Sequence, residues 1–263
     1  MIAAVLFGLM ALPVRGQTVA DPVTAAVLPG WVKSDGTRVA ALQLILAPGW
    51  KTYWRAPGDG GIPPQFDWSR SRNLQSVGIS WPTPRVFNDN GLRSIGYKNQ
   101  LIIPLIIAPS TSGKPVRLRA KMELGVCSDI CMPHVLHFDA MLEGSGATPT
   151  PAIAAALAER PYSAKEAGVR SSTCALEATS DGMRISARVT MPSAGGNEVV
   201  VIEPGQADIW VGASQTTRQG GSVVAVSEMM HAQGGAIAID RSAIRITVLG
   251  KNHAVDIRGC NPS

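Results

Sequence analysis

The chain has 263 residues, 45% hydrophobic and only 16% charged, against the roughly 25% charged that is usual for soluble domains. This balance excludes disorder as the dominant state, because disordered chains are poor in apolar residues and rich in charge. The net charge of +5 comes from 24 basic and 19 acidic residues scattered without a basic stripe, so no nucleic-acid partner is expected.

The length suits two domains of about 100–150 residues each. With 27 Gly, 19 Pro and 5% aromatic residues, many turns and short elements follow, which predicts an all-β fold. The N-terminal stretch MIAAVLFGLMALPVRGQTVAD has an apolar run of about a dozen residues, too short to span a bilayer. Residues 1–20 therefore read as a signal peptide cleaved after Gly16 or Ala20, the alternative being a buried N-terminal strand or helix. No other segment holds 18 consecutive apolar residues, so the mature chain is expected to have no transmembrane segment.

Residues 21–147 read as one β-rich unit. After the turn signal Ser34-Asp35-Gly36, strands are predicted over 38–47, 77–81, 100–108, 116–125 and 134–142, with Gly, Pro, Asn and Asp between them. This spacing matches a sandwich of short antiparallel strands. Pro104 interrupts the apolar run 101–107, which predicts an edge strand or a bulge, since proline donates no ladder hydrogen bond. The segment 144–151, GSGATPTP, has linker composition, so residues 148–170 are expected to be linker and helix. Strong helix formers over 151–160, Thr150 as N-cap and Pro161 as stop predict the one helix. Residues 171–263 return to strand patterning, with strands predicted over 183–190, 199–203, 223–226, 236–240 and 243–249. They read as a second, smaller β-sandwich.

The four cysteines fall into a close pair, Cys127 and Cys131, and a distant pair, Cys174 and Cys260. On the loop-entropy estimate a bond across a tripeptide contributes only about 2 kcal/mol, whereas one from 174 to 260 contributes about 4–5 kcal/mol. Cys174–Cys260 therefore reads as a structural staple tying the ends of the second domain together, with free thiols or a second redox pair as alternatives. The short pair is a poor staple and a better candidate for redox exchange. Asp129 between its cysteines disfavours a neighbouring thiolate or serves as a turn residue. His134 and His137 either exchange protons or belong to an ordinary strand surface. A metal reading competes, because Cys127, Cys131, Met132, His134 and His137 offer soft sulfur and imidazole donors of the kind that select Cu(I). A non-catalytic sandwich presenting loops to a partner is the third reading.

The stretch from Gly49 to Phe66, GWKTYWRAPGDGGIPPQF, is rich in Trp, Tyr, Gly and Pro, and so predicts neither a helix nor a central strand. It reads as an ordered loop whose aromatic face covers a site. Trp50, Tyr53, Trp54, Asp59 and Pro63 are its candidate pocket residues, and Tyr97 of Ser-Ile-Gly-Tyr-Lys is a further one. Hydrolase and nucleotide motifs are absent from the sequence.

Taken together, GWKTYWRAPGDGGIPPQFDW, GYKNQLIIPL and GVCSDICMP resemble the N-terminal periplasmic domain of the DsbD family of thiol:disulfide interchange proteins. The resemblance covers roughly residues 25–145 and leans toward the ScsB-like branch, which is linked to suppression of copper sensitivity. It implies an immunoglobulin-like domain in which Cys127 and Cys131 relay electrons, a protein-disulfide reductase type of activity without a cofactor. A cap over residues 53–64 is also implied, as are a periplasmic location, a membrane electron-donor protein and thioredoxin-like periplasmic partners. Two departures stand out. The gap between the cysteines is shorter than in the better-known DsbD branch, and these 263 residues contain neither a multi-helix membrane domain nor a thioredoxin domain. The electrons are therefore expected from another polypeptide or from another part of a longer protein, the alternative being a role that has drifted from the family's.

Overall fold

The computed structural model describes residues 21–263 apart from 90 and 145; the expected signal peptide, 1–20, lies outside the described residues. The fold is all-β. Ten strands build the first sandwich: β1 (Val23–Val32), β2 (Arg38–Leu46), β3 (Lys51–Gly58), β4 (Gln65–Asp67), β5 (Leu74–Ile79), β6 (Arg85–Asp89), β7 (Leu92–Lys98), β8 (Gln100–Pro109), β9 (Val116–Cys127) and β10 (Cys131–Leu142). One sheet has the order β1-β2-β8-β5 and the other β10-β9-β3-β7-β6, with β4 added beside β9. Alternating residues of β2, β8 and β9, among them Leu42, Leu44, Ile103, Leu105, Leu118 and Met122, fill the space between the sheets. This is the period-two burial that makes a sandwich core.

Two expectations need correction here. The strand around Pro104 is interior, lying between β2 and β5. The proline is tolerated because pairing with β5 stops at Ile79↔Leu105. The Pro104 carbonyl still accepts the Ser80 amide at 2.9 Å, and the missing N–H faces that same side, past the end of the neighbouring ladder. The segment beginning at Lys51 is likewise no loop: Lys51–Gly58 is β3, at the middle of the larger sheet. Its pairing with β7 is interrupted by a register shift between Tyr53 and Gly58, and the residues after Gly58 leave the sheet. Gly58 has φ +87°, and a Cβ there would lie 2.5 Å from the Arg93 carbonyl, so the turn requires glycine.

Helix α1 (Pro151–Ala158) begins after Thr150 as expected. The Thr150 hydroxyl, however, donates to the Pro29 carbonyl at 3.3 Å and makes no side-chain cap. Ile153 is fully buried against Val39 and Ala41, so the helix covers the outer face of the smaller sheet.

The second sandwich contains β11 (Tyr162–Ser163), β12 (Ser171–Ala178), β13 (Met183–Thr190), β14 (Val199–Glu203), β15 (Ile209–Val211), β16 (Gln215–Gln219), β17 (Ser222–His231), β18 (Arg245–Leu249), β19 (Ala254–Arg258) and β20 (Asn261–Pro262). Its sheets run β11-β19-β18-β14 and β15-β17-β13-β12-β20, with β16 on β17. The strand expected over 236–240 is absent. Ile237 and Ile239 pack on the core, but positive φ at Gly234 and Gly235 turns the chain away from a ladder partner.

Leu249 and Ala254 of this half belong to the core of the first sandwich, with Val199 and Val201 packed against it. The two halves therefore share an apolar seam. Arg55 crosses it, donating through Nε and Nη2 to Glu203 at 3.0 Å each and through Nη2 to the Thr247 hydroxyl at 3.2 Å.

Inside the second sandwich, the Glu198 carboxylate accepts from Arg218 Nη2 at 2.9 Å, the Ser193 hydroxyl at 3.0 Å and the Ala194 amide at 3.0 Å. Burial opposes its ionisation, but these donors prevail and hold its pKa at about 2, below the ordinary 4.5. The folded value is depressed, so this stabilisation is present above pH 4.5 and lost as the pH falls toward 2. Urea midpoints across that window should drop, and Glu198→Gln should flatten the drop.

Candidate functional site

Cys127 ends β9 and Cys131 begins β10, and the two face each other as the last pair of the hairpin with α-carbons 4.1 Å apart. Ser128, Asp129 and Ile130 form the exposed tip. Strand alternation decides the face. Leu124 and Val126 point into the core, so Gly125 and Cys127 point outward, on the side away from the smaller sheet. On β3 the same rule sends Trp54 inward, fully buried, and Lys51, Tyr53 and Arg55 outward.

Lys51 is the direct neighbour of Cys127 across the sheet, and Tyr53 comes next along the strand. The Tyr53 hydroxyl lies 3.2 Å from Cys131 Sγ. Its ring is held between two glycines: a Cβ on Gly61 would come 2.7 Å from Cδ1, and one on Gly125 would come 2.8 Å from Cδ2. Only residues without a side chain fit there. The loop after Gly58 thus reaches Tyr53 through Gly61, with Ile62 beside Gly125.

The sulfurs open onto a cleft of about 780 Å³ lined by Lys51, Tyr53, Gly60, Arg93, Lys98 and Asp129, among others. Cys127 is buried at 4% exposure, whereas Cys131 is exposed. The Lys51 ammonium donates to the Ser94 hydroxyl at 3.0 Å and lies 5.3 Å from the Phe87 ring centroid, with Lys98 at 4.9 Å. Cations in a thiol cleft favour the thiolate, the nucleophilic form. Leu92 and Ile130, exposed at 58% and 71%, add apolar surface at the same end, suited to a protein partner.

The expected site residues divide cleanly. Cys127, Cys131 and Tyr53 meet. Asp59 and Pro63 lie on the loop above Tyr53 but face a second cleft toward the second sandwich. Trp54 and Tyr97 do not reach the sulfurs. Tyr97 is buried, stacks on Trp81 at 6.4 Å and donates to the Pro82 carbonyl at 2.7 Å. Trp50 also packs against the core. Of the expected aromatic residues, Tyr53 is the one that meets the disulfide, because a strand alternates its side chains and a loop does not.

Lys51, Arg93 and Lys98 were not singled out from the sequence. The alternation Lys51, Tyr53, Arg55 carried the signal, once the segment is read as a strand.

The metal reading finds no support in this geometry. Both sulfurs are joined in a disulfide, and no group of three His, Cys, Asp or Glu residues suited to a metal ion occurs among the described residues. Met132 and His134 alternate with Cys131 along β10, and His137 lies six residues further on, roughly 20 Å at the strand rise. The distant pair also forms its bond, Cys174–Cys260, with α-carbons 5.7 Å apart and both residues buried in the second core.

Tyr53→Phe removes the hydroxyl and keeps the ring. A hydrogen bond to a charged group contributes about 1.5–3 kcal/mol, so alkylation of Cys131 in the reduced variant should slow by about tenfold at neutral pH. Mass-spectrometric rates with iodoacetamide check this.

Residues 21–142 match the family described as thiol:disulfide interchange protein DsbD, N-terminal. The crystal structure of the N-terminal periplasmic domain of ScsB from Proteus mirabilis is similar in fold, with a TM-score of 0.70 over 94% of this chain and 97% of that one, at 19% identity. The reduced N-terminal domain of Neisseria meningitidis DsbD aligns over 48% of this chain and 91% of its own, at 17% identity and a TM-score of 0.25. No curated protein matches the chain. Among the described residues, no helix is long and apolar enough to cross a membrane. The family match and the hairpin disulfide fall on the same sandwich: residues 21–142, just under half of the chain, are similar to a DsbD N-terminal domain.

Proposed function

We propose that this chain is a periplasmic electron relay, reduced by a membrane electron-donor protein and oxidised by thioredoxin-like partners. The observation that carries the reading is the asymmetry of the hairpin pair, with Cys131 exposed beside the Tyr53 hydroxyl at 3.2 Å and Cys127 buried behind it.

In the reduced protein the Cys131 thiolate attacks one sulfur of the partner's disulfide. That bond breaks, the partner's second sulfur leaves as a thiolate, and a mixed disulfide forms. The Cys127 thiolate then attacks Cys131 Sγ, closing the Cys127–Cys131 bond and releasing the partner as a dithiol. Two electrons pass from this chain to the partner, and the donor later restores them. The Tyr53 O–H stabilises the Cys131 thiolate before attack, and the cations of the cleft favour it further. The tripeptide between the cysteines keeps the resolving sulfur close throughout, which makes the second step intramolecular and fast.

The test mixes the reduced chain with an oxidised thioredoxin-like protein and follows both redox states by thiol-alkylation gel shift. Transfer of one disulfide equivalent per chain is expected. Absence of transfer, or a reduction potential for the short pair below about −300 mV, characteristic of bonds that resist exchange, would leave a non-catalytic sandwich as the better reading.

A further inference from the structure

The second sandwich reaches the machinery around the disulfide through Arg93. Arg93, on β7, lines both the disulfide cleft and a cleft of about 410 Å³ between the two sandwiches. Its backbone holds the loop after Gly58 on both sides. The Asp59 amide donates to the Arg93 carbonyl at 3.0 Å, and the Arg93 amide donates to Asp59 Oδ2 at 3.3 Å. Its guanidinium donates through Nη1 to the Ser214 carbonyl of the second sandwich at 3.1 Å. Ser214 is itself fixed, since its buried hydroxyl bonds to the Val200 carbonyl and the Thr216 hydroxyl. Beyond Asp59 the same loop presses Gly61 onto Tyr53, whose hydroxyl meets Cys131. A continuous chain of contacts thus runs from Ser214 through Arg93, Asp59 and Gly61 to Tyr53 and the sulfur.

The cleft between the sandwiches supplies the other half of the argument. Pro57, Asp59 and Pro63 form its wall on the loop side, and Trp210 lies opposite. The loop therefore has open space directly behind it, on the side away from the sulfurs, and Arg93 spans that space.

We infer that Arg93 is a positioning residue through which the second sandwich latches the loop over Tyr53, keeping Cys127 protected and the tyrosine hydroxyl on Cys131. Without the latch the loop relaxes into the cleft between the sandwiches. Arg55, bonded to Glu203, holds the second sandwich in place for this contact from the strand that carries Tyr53. The inference rests on Cys127–Cys131 being a bond that opens. Its test needs neither partner nor electron transfer, so failure of the relay and failure of the latch are separate results.

The full chain is reduced under native conditions with dithiothreitol, which opens the Cys127–Cys131 bond, leaves the buried Cys174–Cys260 bond closed, gives up two electrons and two protons and leaves as its cyclic disulfide. Each freed cysteine is then alkylated with iodoacetamide, the thiolate displacing iodide, and the rates are read by mass spectrometry. Arg93→Ala should raise the Cys127 rate about tenfold, the effect of losing one charge-assisted hydrogen bond, with Cys174 and Cys260 still bonded and unalkylated. Amide exchange at residues 59–61 should accelerate in parallel. Arg93→Lys keeps a donor and should restore the Cys127 rate to near that of the unsubstituted chain. Glu203→Gln, which weakens the hold of the second sandwich without touching Arg93, should shift the Cys127 rate in the same direction. If Arg93→Ala does not fold, the Glu203→Gln rates decide. An unchanged Cys127 rate, or an equal rise at Cys131, overturns the latch.

Discussion

Cys131→Ala is expected to abolish disulfide exchange, whereas Cys127→Ala should accumulate a stable mixed disulfide with the partner. The two variants differ because the hairpin presents its sulfurs unequally, one exposed and one at 4% exposure behind it. Losing the exposed sulfur removes the nucleophile, and the buried one is poorly placed to replace it, so transfer should fall to background. Losing the buried sulfur leaves attack intact but removes the resolving thiolate, so the intermediate persists. Neither result should come from unfolding, since a bond closing so short a loop contributes only about 2 kcal/mol. Non-reducing gels of each variant mixed with an oxidised thioredoxin-like protein, beside a urea titration, check both points. The reverse pattern, with trapping by Cys131→Ala, would reassign the nucleophile to Cys127.

Removing the other bond should act on stability instead. The double variant Cys174→Ala, Cys260→Ala opens a loop between residues separated by 86 positions. On the loop-entropy estimate this costs about 4–5 kcal/mol, against a total of about 5–15 kcal/mol for a typical domain. Both sulfurs also fill the second core, so their loss leaves cavities as well. A large fall in the urea midpoint is expected, with the second sandwich melting first. A loss below about 1 kcal/mol would show that the bond is no staple. The seam formed by Leu249 and Ala254 against the first core predicts a further effect. The first sandwich should lose some stability too, and its Cys127 should become more reactive as the Ser214 contact with Arg93 is lost.

The two pKa-linked and tyrosine-centred expectations above probe local chemistry. These two probe the division of labour between the disulfides. One bond lies at an accessible hairpin tip, where a small loop leaves it little structural weight. The other lies inside a core, where it has no route to a partner. On the proposed function, burial and loop length thus divide chemistry and stability between different cysteines.

Much of this was legible in the chain itself. Alternating apolar residues marked β13, because a half-buried strand imposes a period of two whatever its neighbours are, and short apolar runs between turn signals marked β8, β9, β10 and β14. The close cysteine pair, the wide pair and the helix after Thr150 were equally local. The Gly- and Pro-rich composition around Tyr53 concealed β3, since composition reports the turn that follows the strand and not the strand itself. Pro104 misled for a related reason. Whether a missing amide matters depends on what lies beside it, and here the neighbouring strand has already ended.

The sequence by itself determined the all-β class, the two halves and the close pairing of two cysteines, because periodicity and spacing along the backbone are properties of the chain. Only the tertiary structure decided which aromatic residue meets the sulfur, which cations share its cleft and that Arg93 joins the loop to the second sandwich. Those contacts link Tyr53 with Cys131 and Arg93 with Ser214, residues 78 and 121 positions apart. Sheet register and the packing of one sandwich on the other bring them together, and neither is written in any local stretch of sequence.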